Sequence, residues 1–530
     1  MATAEEQRSE PHGARPAPLP CVTLLCGLSG FALSLAFIRP GIAALAWIAP
    51  VPFIAATLRA HRLRRALWCG AAFGLGLNLK TFHFLSVFGT LPWVAGASLE
   101  AAWGLILAGA LYLVVARRPS WARVVLLVPC VWVSVEWLRS LGDLGIAWSD
   151  LGHSQVTAPR TVQFASVAGA YGLSYLIALT NAAIVELLTA NARPVLTRVL
   201  AVGPPVLLIL FGQIVLARHP GDEAGPDGVQ VTLVQCGAVN QPIVFGPPTP
   251  PMEQLTEFIR TTQGQDIEPG GLVIWPEAAI GADLERDVVL RSAVSNLVRR
   301  KRCYLLAGCH HHTPPDRSHN AAMLFLPDGT IGGVYHKNRL VIMSEQTPAW
   351  LRAIAGPTLD SFGASARSLT PGEGFVALEA GDARLAPIIC FESTLTYPAR
   401  RAVSRGANLI ALVTNDGWFR ATDGGEFHAG LSIMRAVENR TPIARAACTG
   451  MSMFVDAYGR ISYPTPLFDM KPRAVSARVP LRPVDPPGSI YTCVGDVAVW
   501  ASLAAVVVAA VLGWRARYRE GRPRVHDAPD

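Results

Sequence analysis

The sequence predicts a multi-span α-helical membrane domain joined to a large extramembrane α/β domain, and three observations carry that prediction. The 530-residue chain is 51% hydrophobic and only 16% charged, too apolar for an ordinary soluble protein. Apolar stretches approaching the roughly 20 residues that cross a bilayer core recur through residues 21–217 and again at 494–514. Between them, from Val229 onward, short β-branched runs alternate with helix-like stretches and Gly/Pro turns, which is the pattern of a layered α/β domain.

The apolar stretches place spans near 21–38, 41–58, 66–88, 92–116, 123–138, 164–188, 196–217 and 494–514, about eight crossings in all. The third is interrupted by Lys80 and His83, which must face protein, water or an interface. The division that follows is a tail at 1–20, a membrane domain of about seven helices at 21–217, a polar domain at 218–493, a last span at 494–514 and a basic tail at 515–530. The first apolar stretch has no small-residue cleavage pattern and reads as a span, with Cys21 at its start.

The formal charge of +8 does not describe a nucleic-acid surface. Residues 218–493 hold 26 Lys+Arg and 26 Asp+Glu, so the excess lies at membrane edges. Basic residues cluster in alternate connections: Arg59, Arg62, Arg64 and Arg65; Arg117, Arg118 and Arg123; Arg193 and Arg198; Arg515, Arg517 and Arg519. Positive loops stay cytoplasmic, which puts both termini inside and the polar domain on the opposite face of the cytoplasmic membrane.

Within the polar domain the runs Val229–Val234, Leu272–Trp275, Tyr304–Gly308, Ala322–Phe325, Leu385–Ile389 and Leu409–Val413 are apolar on both faces, as buried central strands are. Residues 286–302 carry a helical apolar period ending in the basic patch Arg299 to Arg302, suited to a helix C-terminus. The ten cysteines are scattered; an oxidising compartment permits disulfides among Cys236, Cys303, Cys309, Cys390, Cys448 and Cys493, with no pairing readable from spacing. The run Cys309-His310-His311-His312 resembles a metal tract, but no second ligand group stands at finger-like spacing. It is read as a strand end, and no metal is assigned.

Three polar residues follow predicted strands, where α/β folds display reactive groups: Glu277 after GLVIWP, Lys337 after GGVYH and Cys390 after LAPII. Singly they read as a turn acid, a surface charge and a packed thiol. Together they fit one mechanism. A cysteine attacks as thiolate and needs a base and a positive neighbour, which Glu277 and Lys337 supply. The oxyanion formed on a substrate carbonyl finds donors in Lys337 and the backbone N–H after Cys390. A Cys–His pair using His336 or His428 is the competing arrangement.

WPE, YHK with the downstream Glu345, and ICFE resemble the signature segments of the nitrilase superfamily. TNDGWF at 414–419, His428 and RAVENRTPIARAACTGMS at 435–452 resemble its apolipoprotein N-acyltransferase branch, as do WVSVEWLRS at 132–140, AWSDLGHSQ at 147–155, the Gly169–Ser174 segment and Asn181. The resemblance implies a four-layer αββα sandwich with Glu277 as general base, Lys337 as oxyanion cation and Cys390 as nucleophile. Glu345 and Glu392 match further carboxylates that tune Lys337 and the pocket. Phe391 stands where the family usually carries tyrosine, although its backbone N–H remains. Residues 235–246 lack the family's Asn-Ile and Trp, and Ile342-Met343-Ser344 precede Glu345 in place of Pro-Phe-Gly.

The implied activity moves an acyl chain from a phospholipid, through a cysteine thioester and without a cofactor, to the amine of diacylglyceryl-cysteine on an apolipoprotein at the bacterial inner membrane. Trp350, Leu351 and Phe362 are apolar enough for an interfacial lid. A membrane-tethered amidase or hydrolase, in which water resolves the acyl-enzyme, is the first alternative; a non-catalytic lipid-binding scaffold is the second.

Overall fold

The computed structural model describes residues 18–37, 42–143, 145–189, 193–221, 228–237, 249–342, 344–353, 368–420, 422–485 and 488–520. Its first half is helical: α1 (Leu19–Ser34), α2 (Val51–Leu58), α3 (Leu63–Thr81), α4 (Thr90–Leu111), α5 (Trp121–Arg139), α6 (Ala165–Thr189) and α7 (Pro194–Arg218). Among the described residues, six segments are long and apolar enough to cross a membrane: Leu19–Phe37, Thr90–Ala116, Trp121–Arg139, Thr161–Thr189, Pro194–Arg218 and Val497–Ala516.

Two of the eight expected spans take another form. Pro50 separates the 3-10 turn Ala43–Trp47 from α2, leaving a short apolar segment, because proline cannot donate in a continuing helix. The third ends as a helix at Thr81 and continues as the 3-10 turn His83–Phe88. Lys80 meets Asp423 of the polar domain at 2.6 Å, and His83 meets Trp93 edge-on at 5.2 Å, so the residues that interrupt the apolar pattern have protein partners. α3 and α4 touch backbone to backbone: a Cβ on Gly70 would lie 2.2 Å from the Gly104 carbonyl oxygen. Small residues permit such close helix packing in the absence of a hydrophobic drive between helices.

The polar domain is built on two sheets. The first has the order β13 (Arg473–Val479), β1 (Val229–Gln235), β2 (Leu272–Ile274), β4 (Tyr304–Thr313), β5 (Arg317–Phe325) and β6 (Ile331–His336), with β3 (Ile280–Asp283) also on β4. The second runs β12 (Ile461–Ser462), β11 (Met453–Val455), β10 (Ile443–Ala447), β9 (Leu409–Thr414), β8 (Ala383–Ile389) and β7 (Leu378–Ala380). β1, β2 and β4 are mutually parallel, as are β8, β9 and β10.

Strand periodicity divides the side chains between two cores. Leu233, Leu272, Ile274, Leu306, Ala322 and Leu324 share a core with Leu385, Ile388, Ile410 and Leu412 of the second sheet. Their alternates Val273, Leu305, Ala307, Met323 and Phe325 pack under α8 (Pro251–Gln263) and α9 (Val288–Lys301) through Phe258, Leu290, Val294 and Leu297. Burying each large aliphatic side chain contributes about 1.5–3 kcal/mol. α10 (Tyr397–Val403) and α11 (Asp423–Asn439) contact β8, β10 and β11 of the second sheet, completing the four-layer nitrilase-like sandwich.

α9 follows its predicted course. Asp287 caps the first turn by accepting from the Val289 and Leu290 N–H groups, and Arg299–Lys301 occupy the last turn before a left-handed Arg302. α12 (Ile490–Val494) and α13 (Val497–Glu520) return the chain to the helical half. The two halves meet along α11, where the Ala170 N–H donates to Glu438 at 2.9 Å and Arg440 donates to Gln163 at 2.7 Å.

Candidate active site

Glu277, Lys337 and Cys390 all follow strands of this sandwich. Lys337 and Cys390 come directly after β6 and β8, and Glu277 follows β2 by three residues. Gly308 of β4 lets the turn bearing Glu277 settle on the sheet, since a Cβ there would stand 2.1 Å from the Pro276 carbonyl oxygen. Glu277, Lys337, Glu345, Cys390 and Glu392 are all buried.

A fully enclosed ammonium organises the group. Lys337 Nζ donates to Glu277 Oε1 at 2.9 Å and to Glu345 Oε1 at 3.0 Å. Asn320 Nδ2 bridges the same two carboxylates at 2.8 and 2.7 Å, the Asn415 N–H holds Glu277 Oε2 at 2.8 Å, and the Val341 N–H holds Glu345 Oε2 at 2.8 Å. Burial works to deprotonate Lys337, but Glu277, Glu345 and Cys390 outweigh it and hold the amine charged well above the ordinary lysine range. Burial pushes the Cys390 thiol well up; Glu277 adds to this, while Lys337 and the Thr414 hydroxyl pull the other way. The resting thiol therefore keeps its proton until a base removes it.

Cys390 has a φ of 49°, a left-handed conformation that a residue with a Cβ adopts at a cost of about 1–3 kcal/mol. Glu392 secures this turn. Its Oε2 accepts from the Ile389 N–H at 2.9 Å, and its Oε1 accepts from the Asn338 N–H at 2.7 Å and the Arg339 N–H at 3.2 Å. The Tyr335 hydroxyl donates within the same group at 2.8 Å. Glu392 thus ties the segment after Lys337 to the turn of Cys390.

Burial raises the Glu392 carboxyl from 4.5 to about 7 against those donors. An acid whose folded pKa lies above its unfolded value stabilises the fold at low pH, and the contribution falls away as pH rises from about 4.5 to about 7. The difference amounts to about 3 kcal/mol. Glu392→Gln cannot titrate, so the melting temperature in detergent is expected to lose that slope between pH 5 and 7. Its amide nitrogen must also face a backbone donor at either oxygen position, costing roughly 1–3 kcal/mol and slowing turnover. An unchanged slope in the variant assigns the titration to another group.

The structure sorts the remaining candidates. His336 lies beside His311, with Nε2 and Nδ1 2.7 Å apart, and stacks on His319 at 4.1 Å. Burial, then His319 and His311, lower it to about 4. His428 reaches the carbonyl oxygen of Cys390 at 3.3 Å. The His310–His312 run lies in β4, His311 bonding Glu285 and His312 bonding Asp283. All ten thiols are free. Trp350 is exposed and Leu351 half-buried; Phe362, Met343 and most of 235–246 lie outside the described residues. Motif reasoning passed over Asn320, whose signal was an amide at an otherwise apolar strand position before Ala321-Ala322.

Residues 29–183 match the family Apolipoprotein N-acyltransferase N-terminal domain, and residues 231–470 match the family Carbon-nitrogen hydrolase. An apolipoprotein N-acyltransferase from Geobacter metallireducens is 30% identical over 512 residues, covering 93% of this chain and 95% of the relative. Those from Chlorobaculum tepidum and Caulobacter vibrioides are 29% and 28% identical, over 74% and 86% of this chain and 78% and 87% of their own. The fold and these matches define a multi-pass membrane acyltransferase of the carbon–nitrogen hydrolase superfamily. Within that class the chain belongs to the apolipoprotein N-acyltransferase family.

Proposed function

We propose that the enzyme transfers an acyl chain from a phospholipid to the N-terminal amine of diacylglyceryl-cysteine by two-step exchange on Cys390. Glu277 takes the thiol proton as sulfur attacks the ester carbonyl, and Lys337 and the Phe391 N–H receive the oxyanion. Collapse expels the lysophospholipid alcohol, which leaves with that proton. The lipoprotein amine then attacks the thioester, and its proton returns to the sulfur by way of Glu277.

The observation that carries this reading is the buried Lys337 ammonium, clamped between Glu277 and Glu345 and acting on the Cys390 thiol. The helical half supports lipid-anchored substrates, since confinement to the bilayer brings both acyl chains to one thiol without their entering water. Hydrolysis is the rival outcome; incubation with an acyl-labelled phospholipid, with and without a diacylated lipopeptide, separates the two.

The sandwich is placed on the periplasmic side of the inner membrane by the basic loops after Leu58, Ala116 and Thr189. Reporter fusions after Arg218 and Arg515 are expected on opposite faces. Equal sidedness would sink the topology.

A further inference from the structure

Behind the Cys390 turn lies a second buried polar group. His428 of α11 points Nε2 at Ser393 Oγ, 3.0 Å away, and at the Cys390 carbonyl oxygen, 3.3 Å away. Its Nδ1 stands 2.9 Å from Asp416 Oδ1. Asp416 also accepts from Thr414 Oγ1 at 3.0 Å and from Arg445 at 2.8 Å. Ser393, Asp416, His428 and Arg445 are all buried.

The hydrogen-bond inventory fixes the protons. An ionised carboxylate only accepts, so the 2.9 Å separation from Asp416 requires hydrogen on Nδ1. Arg445, 3.3 Å from the same nitrogen, places its hydrogen on the nearer Asp416 Oδ2. The Ser393 hydroxyl donates to the Cys390 carbonyl at 2.8 Å, which leaves its oxygen as acceptor toward Nε2. A bare Nε2 would face that carbonyl oxygen lone pair to lone pair. Hydrogen is therefore required on both nitrogens. Arg445 and, after it, His428 overcome burial and hold the Asp416 carboxyl below the usual carboxylate range, consistent with an ion pair.

We infer that His428 is a positioning residue that works as an imidazolium: paired with Asp416, it grips the Cys390 carbonyl and Ser393 and sets a positive charge behind the nucleophile. The inference rests on Cys390 being the acylated group proposed above. Two cations then act on the thiol from different elements, Lys337 from the end of β6 and His428 from α11. Burial, Glu277 and Asp416 oppose them. Trp148, between α5 and α6, stacks over the imidazole at a centroid distance of 6.2 Å, and its carbonyl accepts from the buried Arg139. The membrane half thus forms one wall of the histidine's site. The rival-base role is displaced, because the ring addresses the carbonyl of Cys390.

The test is the pH dependence of Cys390 alkylation by iodoacetamide in the full-length protein in detergent, read by mass spectrometry at that residue. His428→Gln keeps a donor for the carbonyl but carries no charge; Asp416→Asn keeps an acceptor but no longer requires the imidazolium. Both are expected to move the alkylation midpoint up by at least about one pH unit, making the reaction at neutral pH roughly tenfold slower or more. A histidine that only fills space moves the melting temperature and leaves the midpoint in place, and that result overturns the inference. Melting curves and a Ser393→Ala variant, which removes a hydroxyl without charge, separate misfolding from the electrostatic effect. A midpoint that shifts equally in Ser393→Ala assigns it to turn geometry and also overturns it. If wild-type Cys390 alkylates but takes no acyl group from phospholipid, the proposed function fails while the charge reading stands.

Discussion

Cys390→Ala is expected to end both half-reactions, with a loss of at least about 10⁴-fold in turnover, because no covalent route remains. Phospholipid alone should convert the wild-type enzyme to a species heavier by one acyl chain, released by neutral hydroxylamine as a thioester is. Lipopeptide should discharge it, with N-acylated peptide appearing in matching amount. The alanine variant should show neither event. Cys448 is the nearest competitor: it is buried, and its thiol donates to the Glu277 carbonyl at 3.2 Å, so it is committed to the turn that carries the base. Cys390→Ser retains at most a slow first step, since a hydroxyl is the weaker nucleophile. Acylation of the alanine variant elsewhere would remove Cys390 from the centre of the scheme. Decay of the wild-type acyl-enzyme to free fatty acid at one rate, with or without acceptor, would replace transfer with hydrolysis.

The parts of this structure that were legible in the sequence are those set by local pattern. Two-sided apolar runs gave the central strands, and the helical period with Asp287 and the basic end gave α9. The three segments ending in Glu277, Lys337 and Cys390 announced themselves because each polar residue follows an apolar strand. Lys80 was misleading for a physical reason: hydropathy counts it against a span, while its partner Asp423 lies 343 residues away and is invisible to any window. The same distance in sequence hid the supports of the site. Asn320 meets Glu277 across 43 residues, and Asp416 meets Arg445 across 29. Such pairings are made by sheet order, in which β8, β9 and β10 lie side by side, and a linear pattern does not encode them.

Glu277→Gln and replacements of Lys337 are expected to diverge, although both residues serve one reaction. Glu277→Gln keeps the shape of the side chain and an oxygen for Lys337 and Asn320, at the expense of one amide facing the Asn415 N–H. The first half-reaction should slow by about 10²–10⁴-fold, the usual contribution of a positioned base. That loss should shrink as pH rises, because hydroxide forms the thiolate that Glu277 no longer makes, and losing the neighbouring negative charge brings the thiol pKa down. Lys337→Ala is a harsher change than its place in a cleft suggests. The ammonium is fully enclosed and balances both Glu277 and Glu345, so its removal leaves two carboxylates sharing Asn320 and costs about 3–5 kcal/mol of stability. Lys337→Met restores the packing volume and isolates the charge. Its rate should fall as far or further, and alkaline pH should recover none of it, because the oxyanion has lost its cation and Glu277 still holds the thiol pKa up. Acyl-enzyme formation followed by single-turnover mass spectrometry from pH 6 to 9 reads both variants. Parallel pH profiles for Glu277→Gln and Lys337→Met would mean that base and cation have been assigned to the wrong residues.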